Sequence, residues 1–201
     1  IAMCGIAGFL RYGDLQLSDV PAIASRMGDA IRHRGPDDSG IYSEPGLFLG
    51  HTRLAVLDLS PAGHQPMVSP NEGRFVISFN GEIYNFREIR LELEQKRHTF
   101  HSQTDTEVLL LAWSVWGEKC LDRLEGHFAF AIYDRHERCL YLARDSFGVK
   151  PLFYANIQGQ LYFSSEILAL FGDWNPCPEP EPEDLNVYFT YNYLPAPFTG
   201  L

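Results

Sequence analysis

The chain has 201 residues, 45% of them hydrophobic and 21% charged, with a net charge of −10 and a pI near 5.1. That make-up excludes a disordered chain and allows a sizeable core, and its acidity argues against a general nucleic-acid or anionic-membrane surface. The four cysteines (Cys4, Cys120, Cys139, Cys177) show no C-x-x-C spacing, and there is neither a signal peptide nor a run of 18 apolar residues, so the expected compartment is the cytoplasm.

In chain order, a first strand is expected over Cys4–Leu10, then a helix after Ser18 with Val20, Ile23, Met27, Ala30 and Ile31 at helical spacing. Arg34-Gly35-Pro36-Asp37 breaks that helix. Strands follow at Ser39–Ser43, Leu47–Leu54 and Phe75–Phe79. Asn85-Phe86-Arg87-Glu88 reads as a capping box for a helix carrying Ile89, Leu91 and Leu93. Thr104-Asp105-Thr106-Glu107 reads as a second, opening the apolar helix Val108–Trp116, which stops at Gly117. Phe128–Tyr133 and Cys139–Ala143 form one expected hairpin. Leu152–Ile157 and Gln160–Ser164 form another, turning at Gln158-Gly159. Strands, helices and more strands without βαβ alternation predict an α+β fold of antiparallel sheets. The alternating Pro176, Pro178, Pro180 and Pro182 read as an extended linker, followed by a short helix over Asp184–Tyr191.

Chemistry concentrates at a few places. Cys4 stands three residues from the start, in the strand-like Cys4-Gly5-Ile6-Ala7-Gly8-Phe9. If it were the first residue, its own α-amine, titrating near ~8, would be an attached base for the thiol. The alternative is a small apolar residue in a buried strand. Asn80-Gly81 follows a strand and is either an oxyanion site of two convergent N–H donors or a tight turn. Arg53 can grip a carboxylate in bidentate fashion or serve an internal ion pair. Asp105 can hold a ligand ammonium or simply favour its helix start. The seven histidines show no metal-ligand spacing, and no phosphate-binding glycine motif is present. A nucleophile, a carboxylate-binding arginine, an ammonium-binding aspartate and an oxyanion site together suit an amino acid with a side-chain amide, namely glutamine.

At this point the chain resembles the class II, N-terminal-nucleophile glutamine amidotransferases, and within them the glutaminase domain of glutamine-hydrolysing asparagine synthetase. The blocks are Cys4-Gly5-Ile6-Ala7-Gly8, His33-Arg34-Gly35-Pro36-Asp37, His51-Thr52-Arg53-Leu54 through Asp58, and Gly63-His64-Gln65-Pro66-Met67. They continue with Asn80-Gly81-Glu82-Ile83-Tyr84-Asn85, Thr104-Asp105-Thr106-Glu107, Ala143-Arg144-Asp145, Gly148-Val149-Lys150-Pro151-Leu152 and Phe163-Ser164-Ser165-Glu166. The resemblance implies a four-layer αββα sandwich of two antiparallel sheets. It implies Cys4 as nucleophile and Asn80 and Gly81 as the oxyanion hole. Arg53, with backbone near Val56, would hold the glutamine carboxylate, and Glu82, Asp105 and the Gly81 backbone its ammonium. No metal or cofactor is expected here. ATP and magnesium would belong to a C-terminal synthetase domain, the partner that passes ammonia to aspartate, and a homodimer is a further candidate assembly. The boundaries expected are a leader over 1–3, a glutaminase domain over 4–172, and a linker with the start of a further domain over 173–201. Met3 is read as the native start and Ile1-Ala2 as residues foreign to it. A different ammonia acceptor, or a non-catalytic glutamine-binding module, stays open.

Overall fold

A computed structural model describes residues 3–11, 20–55, 60–70, 72–157, 159–171 and 179–195. Among these the elements run β1 (Gly5–Leu10), α1 (Val20–Ile31), β2 (Asp38–Glu44), β3 (Leu47–Arg53), β4 (Met67–Val68), β5 (Phe75–Ile83), α2 (Phe86–Gln95), α3 (Asp105–Trp116), β6 (Gly126–Asp134), β7 (Cys139–Arg144), β8 (Phe153–Ile157), β9 (Gln160–Ser164), α4 (Ile167–Leu170) and α5 (Pro182–Tyr191). One sheet has the order β2-β3-β1-β9-β8 and the other β4-β5-β6-β7. Every named strand pair is antiparallel. This is the α+β, four-layer αββα sandwich that the resemblance implied.

Alternation along the strands builds the layers, because successive side chains leave opposite faces of a sheet. Ile6, Leu10, Leu47, Leu49 and Phe163 of the first sheet meet Val76, Ala129, Ala131 and Tyr133 of the second in a core between the sheets. Ala7, Phe9 and Phe48 turn outward to Ile23, Met27 and Ile31 of α1. Ile77, Phe79 and Phe130 turn outward to α2 and α3. Helix α3 is buried from Asp105 through Trp113, which explains why it reads as apolar all round rather than as an amphipathic stripe.

Several expectations need correction. The strand expected to end at Phe79 continues to Ile83, with Asn80 paired to Ala129 and Gly81 to Phe128, so Asn80-Gly81 is strand and not a turn. Asn85 does not cap α2. Its side chain instead donates to Arg123 O at 2.9 Å and accepts the Glu125 N–H at 3.1 Å, tying the loop before β6 to the end of β5. Thr104 does cap α3, accepting the Glu107 N–H at 3.3 Å, but Glu107 does not complete the box. Its carboxylate is taken by the N–H groups of His101 and Ser102 at 2.8 and 2.7 Å. Pro182, assigned to the linker, opens α5, where its fixed φ suits the first helical turn. Pro176, Cys177 and Pro178 lie outside the described residues.

On α2, Ile89 and Leu93 are buried, whereas Leu91 is 59% exposed. Leu110 is wholly buried in the core beneath α3. Urea unfolding should therefore show Leu110→Ala losing about 2–5 kcal/mol, with Leu91→Ala within about 0.5 kcal/mol of the parent.

Candidate active site

Cys4 immediately precedes β1, a strand held between β3 and β9. Because Gly5 pairs with Thr52, the thiol reaches the end of β3, where its Sγ accepts the Leu54 N–H at 3.3 Å. Arg34 pins the backbone on both sides. Its Nε donates to Cys4 O at 3.0 Å and its carbonyl accepts the Met3 N–H at 3.0 Å, while its guanidinium also pairs with Glu166. Burial pushes the Cys4 thiol above its ordinary pKa. The Leu54 backbone and the charges of Arg53 and Lys150 pull the other way, and Asp105 adds to the rise.

Cys4, Arg53, Asn80, Gly81, Glu82 and Asp105 all line one cavity of about 200 Å³. That is below the ~300–1,000 Å³ of drug-sized sites, so the space suits a small metabolite. Of the expected site residues, only Val56 lies outside the described residues.

Asn80 is 1% exposed, and its Nδ2 has no hydrogen-bond partner among the described residues. An unpaired buried donor costs stability, and this one stands in the cavity that the Cys4 thiol also lines. Gly81 is required by the strand pairing itself, since a Cβ there would lie 2.4 Å from His127 O and 2.7 Å from Phe128 Cα. Arg53 ends β3 and donates from Nη1 to Ser60 O at 3.1 Å. Space for its guanidinium depends on Gly63, where a Cβ would come within 2.1 Å of Nη2.

Across the cavity, Asp105 begins α3 and accepts the Ile83 N–H at 3.0 Å. Burial raises its pKa to about 6, with the nearby Glu82 charge adding to the rise while the Ile83 and Thr106 N–H groups resist it. The cavity is thus lined by the cations Arg53 and Lys150, the carboxylates Glu82 and Asp105, a thiol and a spare N–H donor.

Three contributors were missed in the sequence. The Leu54 N–H bonds the sulfur. Gln65 accepts the Phe79 N–H at 2.7 Å and donates to Thr106 Oγ1 at 3.2 Å, joining β5 to α3 beside the cavity. Lys150 lines the cavity with its ammonium 3.6 Å from Met3 Sδ. Gln65 and Lys150 stood inside quoted blocks, but no spacing rule gave them a role. His51 is built into the interior: burial takes its pKa down to about 4, and its Nε2 donates to Phe79 O at 3.0 Å. No cluster of metal-ligating side chains is present among the described residues, nor does any helix there have the length and apolarity to cross a membrane.

The fold has solved counterparts. Glutamine phosphoribosylpyrophosphate amidotransferase from B. subtilis, complexed with ADP and GMP, superposes with a TM-score of 0.69 at 21% identity, covering 83% of this chain and 43% of that one. A structure described as the allosteric regulatory enzyme of purine biosynthesis gives the same TM-score over 84% of this chain and 43% of its own. At that identity the likeness speaks for the fold. Residues 3–201 match the glutamine amidotransferase domain, and the chain belongs to that family.

More similar in sequence are asparagine synthetase [glutamine-hydrolyzing] 1 of Bacillus subtilis (strain 168), 39% identical over 98% of this chain and 31% of that protein, and asparagine synthetase [glutamine-hydrolyzing] 3 of the same organism, 43% identical over 84% and 27%. A putative asparagine synthetase [glutamine-hydrolyzing] 2 of Methanocaldococcus jannaschii is 33% identical over 98% and 41%. The chain spans less than half the length of these relatives.

The raised Asp105 pKa has a stability consequence. A carboxyl that titrates at about 6 folded against 3.8 unfolded favours folding only while protonated, so that contribution fades as pH rises from 3.8 through about 6. Asp105→Asn removes the charge but keeps an acceptor for Ile83. Its unfolding free energy should exceed the parent's by up to about 3 kcal/mol at pH 7.5, and the gap should close at pH 4.

Proposed function

We propose that this domain hydrolyses the side-chain amide of glutamine to glutamate and ammonia through a thioester on Cys4. The observation that carries the reading is the unpartnered, buried Nδ2 of Asn80 in the same small cavity as the Cys4 thiol. Arg53 receives the α-carboxylate of glutamine, and Asp105 with Glu82 receives its α-ammonium. The amide carbon then stands at the sulfur and the amide oxygen at Asn80 Nδ2 and the Gly81 N–H.

With Cys4 as the first residue, its α-amine takes the thiol proton as the C–S bond forms. Negative charge develops on the amide oxygen and is met by the two donors. The amine returns the proton to the departing nitrogen, ammonia leaves, and water later cleaves the thioester to glutamate. Where Met3 precedes Cys4, that amine is a peptide nitrogen without basicity.

The names of the relatives support asparagine synthesis as the destination of the ammonia; on this reading aspartate is the acceptor, in a synthetase domain that would use ATP and magnesium. Residues 4–172 would then be the glutaminase unit and 173–201 the approach to that further domain. An acidic surface and cysteines left as thiols among the described residues suit the cytoplasm.

An ammonia assay should find rapid glutamine hydrolysis for a chain beginning at Cys4. The chain beginning at Ile1 should be nearly inactive, and Cys4→Ala fully so with its circular dichroism unchanged. Equal rates from the Ile1 and Cys4 forms would remove the α-amine as base.

Asn80→Ala should lower kcat by about 10²–10³ with little change in KM, as for loss of one oxyanion donor. Arg53→Lys should chiefly raise KM, since a point charge replaces a bidentate grip. Steady-state kinetics on both variants separates the two roles, and an Asn80→Ala effect confined to KM would overturn the oxyanion assignment.

A further inference from the structure

The loop between β7 and β8 is held by far more hydrogen bonding than a connection needs. Asp145 is buried, and its carboxylate accepts four backbone N–H groups: Phe128 at 3.2 Å, Phe147 at 3.2 Å, Val149 at 3.0 Å and Lys150 at 3.1 Å. Burial disfavours its charge, but those donors hold the carboxyl below the usual aspartate range. From the other side, Arg144 donates to Gly148 O at 2.5 Å and to Lys150 O at 2.6 Å. Two ionised side chains therefore fix both the N–H and the C=O of Lys150, while its own side chain enters the cavity beside Cys4.

The Lys150 ammonium has no carboxylate within ion-pair distance among the described residues. Its one recorded side-chain contact is the weak acceptor Met3 Sδ at 3.6 Å. The other charges around Cys4 are committed. Arg53 at the end of β3 and Asp105 with Glu82 receive the two ends of a zwitterionic substrate, which neutralises Arg53 and offsets one of the two carboxylate charges in the complex. Arg34 is paired with Glu166, with His33 Nε2 3.6 Å from the same carboxylate. Asp145 and Arg144 are turned to their own loop.

We propose that Lys150 is the fixed cation that sets the protonation state of the nucleophile, keeping the α-amine of Cys4 neutral and its thiol acidic while substrate is bound. The proposal rests on the glutaminase reading above for its catalytic meaning. A positive charge lining the same cavity opposes protonation of the amine and stabilises the thiolate. Once Arg53 is neutralised by the substrate carboxylate, Lys150 is the cation left to do so. When the amine then takes the proton, the S–H bond breaks as the N–H bond forms, and the charge separation stays inside one residue.

The test is Lys150→Met against Lys150→Arg, in the chain beginning at Cys4. The first readout is the acid limb of kcat, where Asp105 is already paired with the substrate ammonium. The second is the pH midpoint of iodoacetamide alkylation at Cys4, resolved by peptide mass, which needs no turnover. Lys150→Met should move both midpoints upward by about 0.5–1 pH unit, the scale of one unit charge at this range, and Lys150→Arg should restore both. Lys150→Gln replaces Lys150→Met if the latter does not fold. Unshifted midpoints, or an arginine variant that behaves like the methionine one, overturn the proposal. If no form hydrolyses glutamine, the glutaminase reading fails, and the alkylation midpoints alone still decide whether Lys150 governs the thiol.

Discussion

The site depends on how the two sheets are held in register against one another. Apolar packing between layers is non-directional, and the side chains between the sheets would tolerate small slides. Two polar contacts do not. Ser78 Oγ donates to Gly50 O at 3.0 Å, and the neutral His51 ring donates to Phe79 O at 3.0 Å, both wholly inside the sandwich. Buried hydrogen bonds are costly to leave unmade, so they fix β3 against β5 to within a hydrogen bond's tolerance. Arg53 lies two residues beyond His51, and Asn80 two beyond Ser78. A slide of one residue would carry Asn80 to the outer face of its sheet and take the oxyanion donor out of the cavity.

The electrostatics of the cavity show a conflict between stability and use. Asp105 is buried with a raised pKa, Asn80 keeps an unpaired N–H, and Lys150 stands without a counter-ion among the described residues. Each is unfavourable in the folded state taken alone. They share one property: each offers what a bound amino acid amide would satisfy, or what its reaction would use. Three such features gathered around one thiol distinguish a ligand site from a poorly packed core.

The fold was largely legible because its strands alternate and its helices carry ordinary stop signals. Gly117, with φ +58°, closes α3 where the sequence placed its end. What failed to read was long-range pairing. Asn80-Gly81 has the composition of a turn, and only the Phe128 and Ala129 partners, nearly fifty residues on, hold it extended. Asn85 has a capping residue's chemistry, but the Arg123–Glu125 backbone competes for it and wins. At the site, the sequence picks out residues with unusual chemistry, and the described ones line one cavity, whereas residues set there by placement alone go unread. Gln65 bonds one backbone N–H and one hydroxyl, neither of which a linear motif reveals. Lys150 looks like any surface lysine until the scaffold around it is seen.

The position of β1 explains how a thiol just before a strand is held in place. Chain ends fray unless they are tied down, and a frayed end cannot hold a sulfur within ångströms of a reacting carbon. This strand enters the middle of a five-stranded sheet, bonded to β3 on one side and β9 on the other, with Ile6 N–H also donating to Ser165 Oγ at 3.1 Å. Arg34 then clasps the Cys4 carbonyl directly. The backbone at Met3 and Cys4 is therefore tied to Arg34 and, through β1, to the sheet. Met3 already lies in the cavity, in the space beside the thiol. Removing it would open that space and free the amine in one event, so that a single proteolytic cut would supply both the base and the room for the substrate it serves.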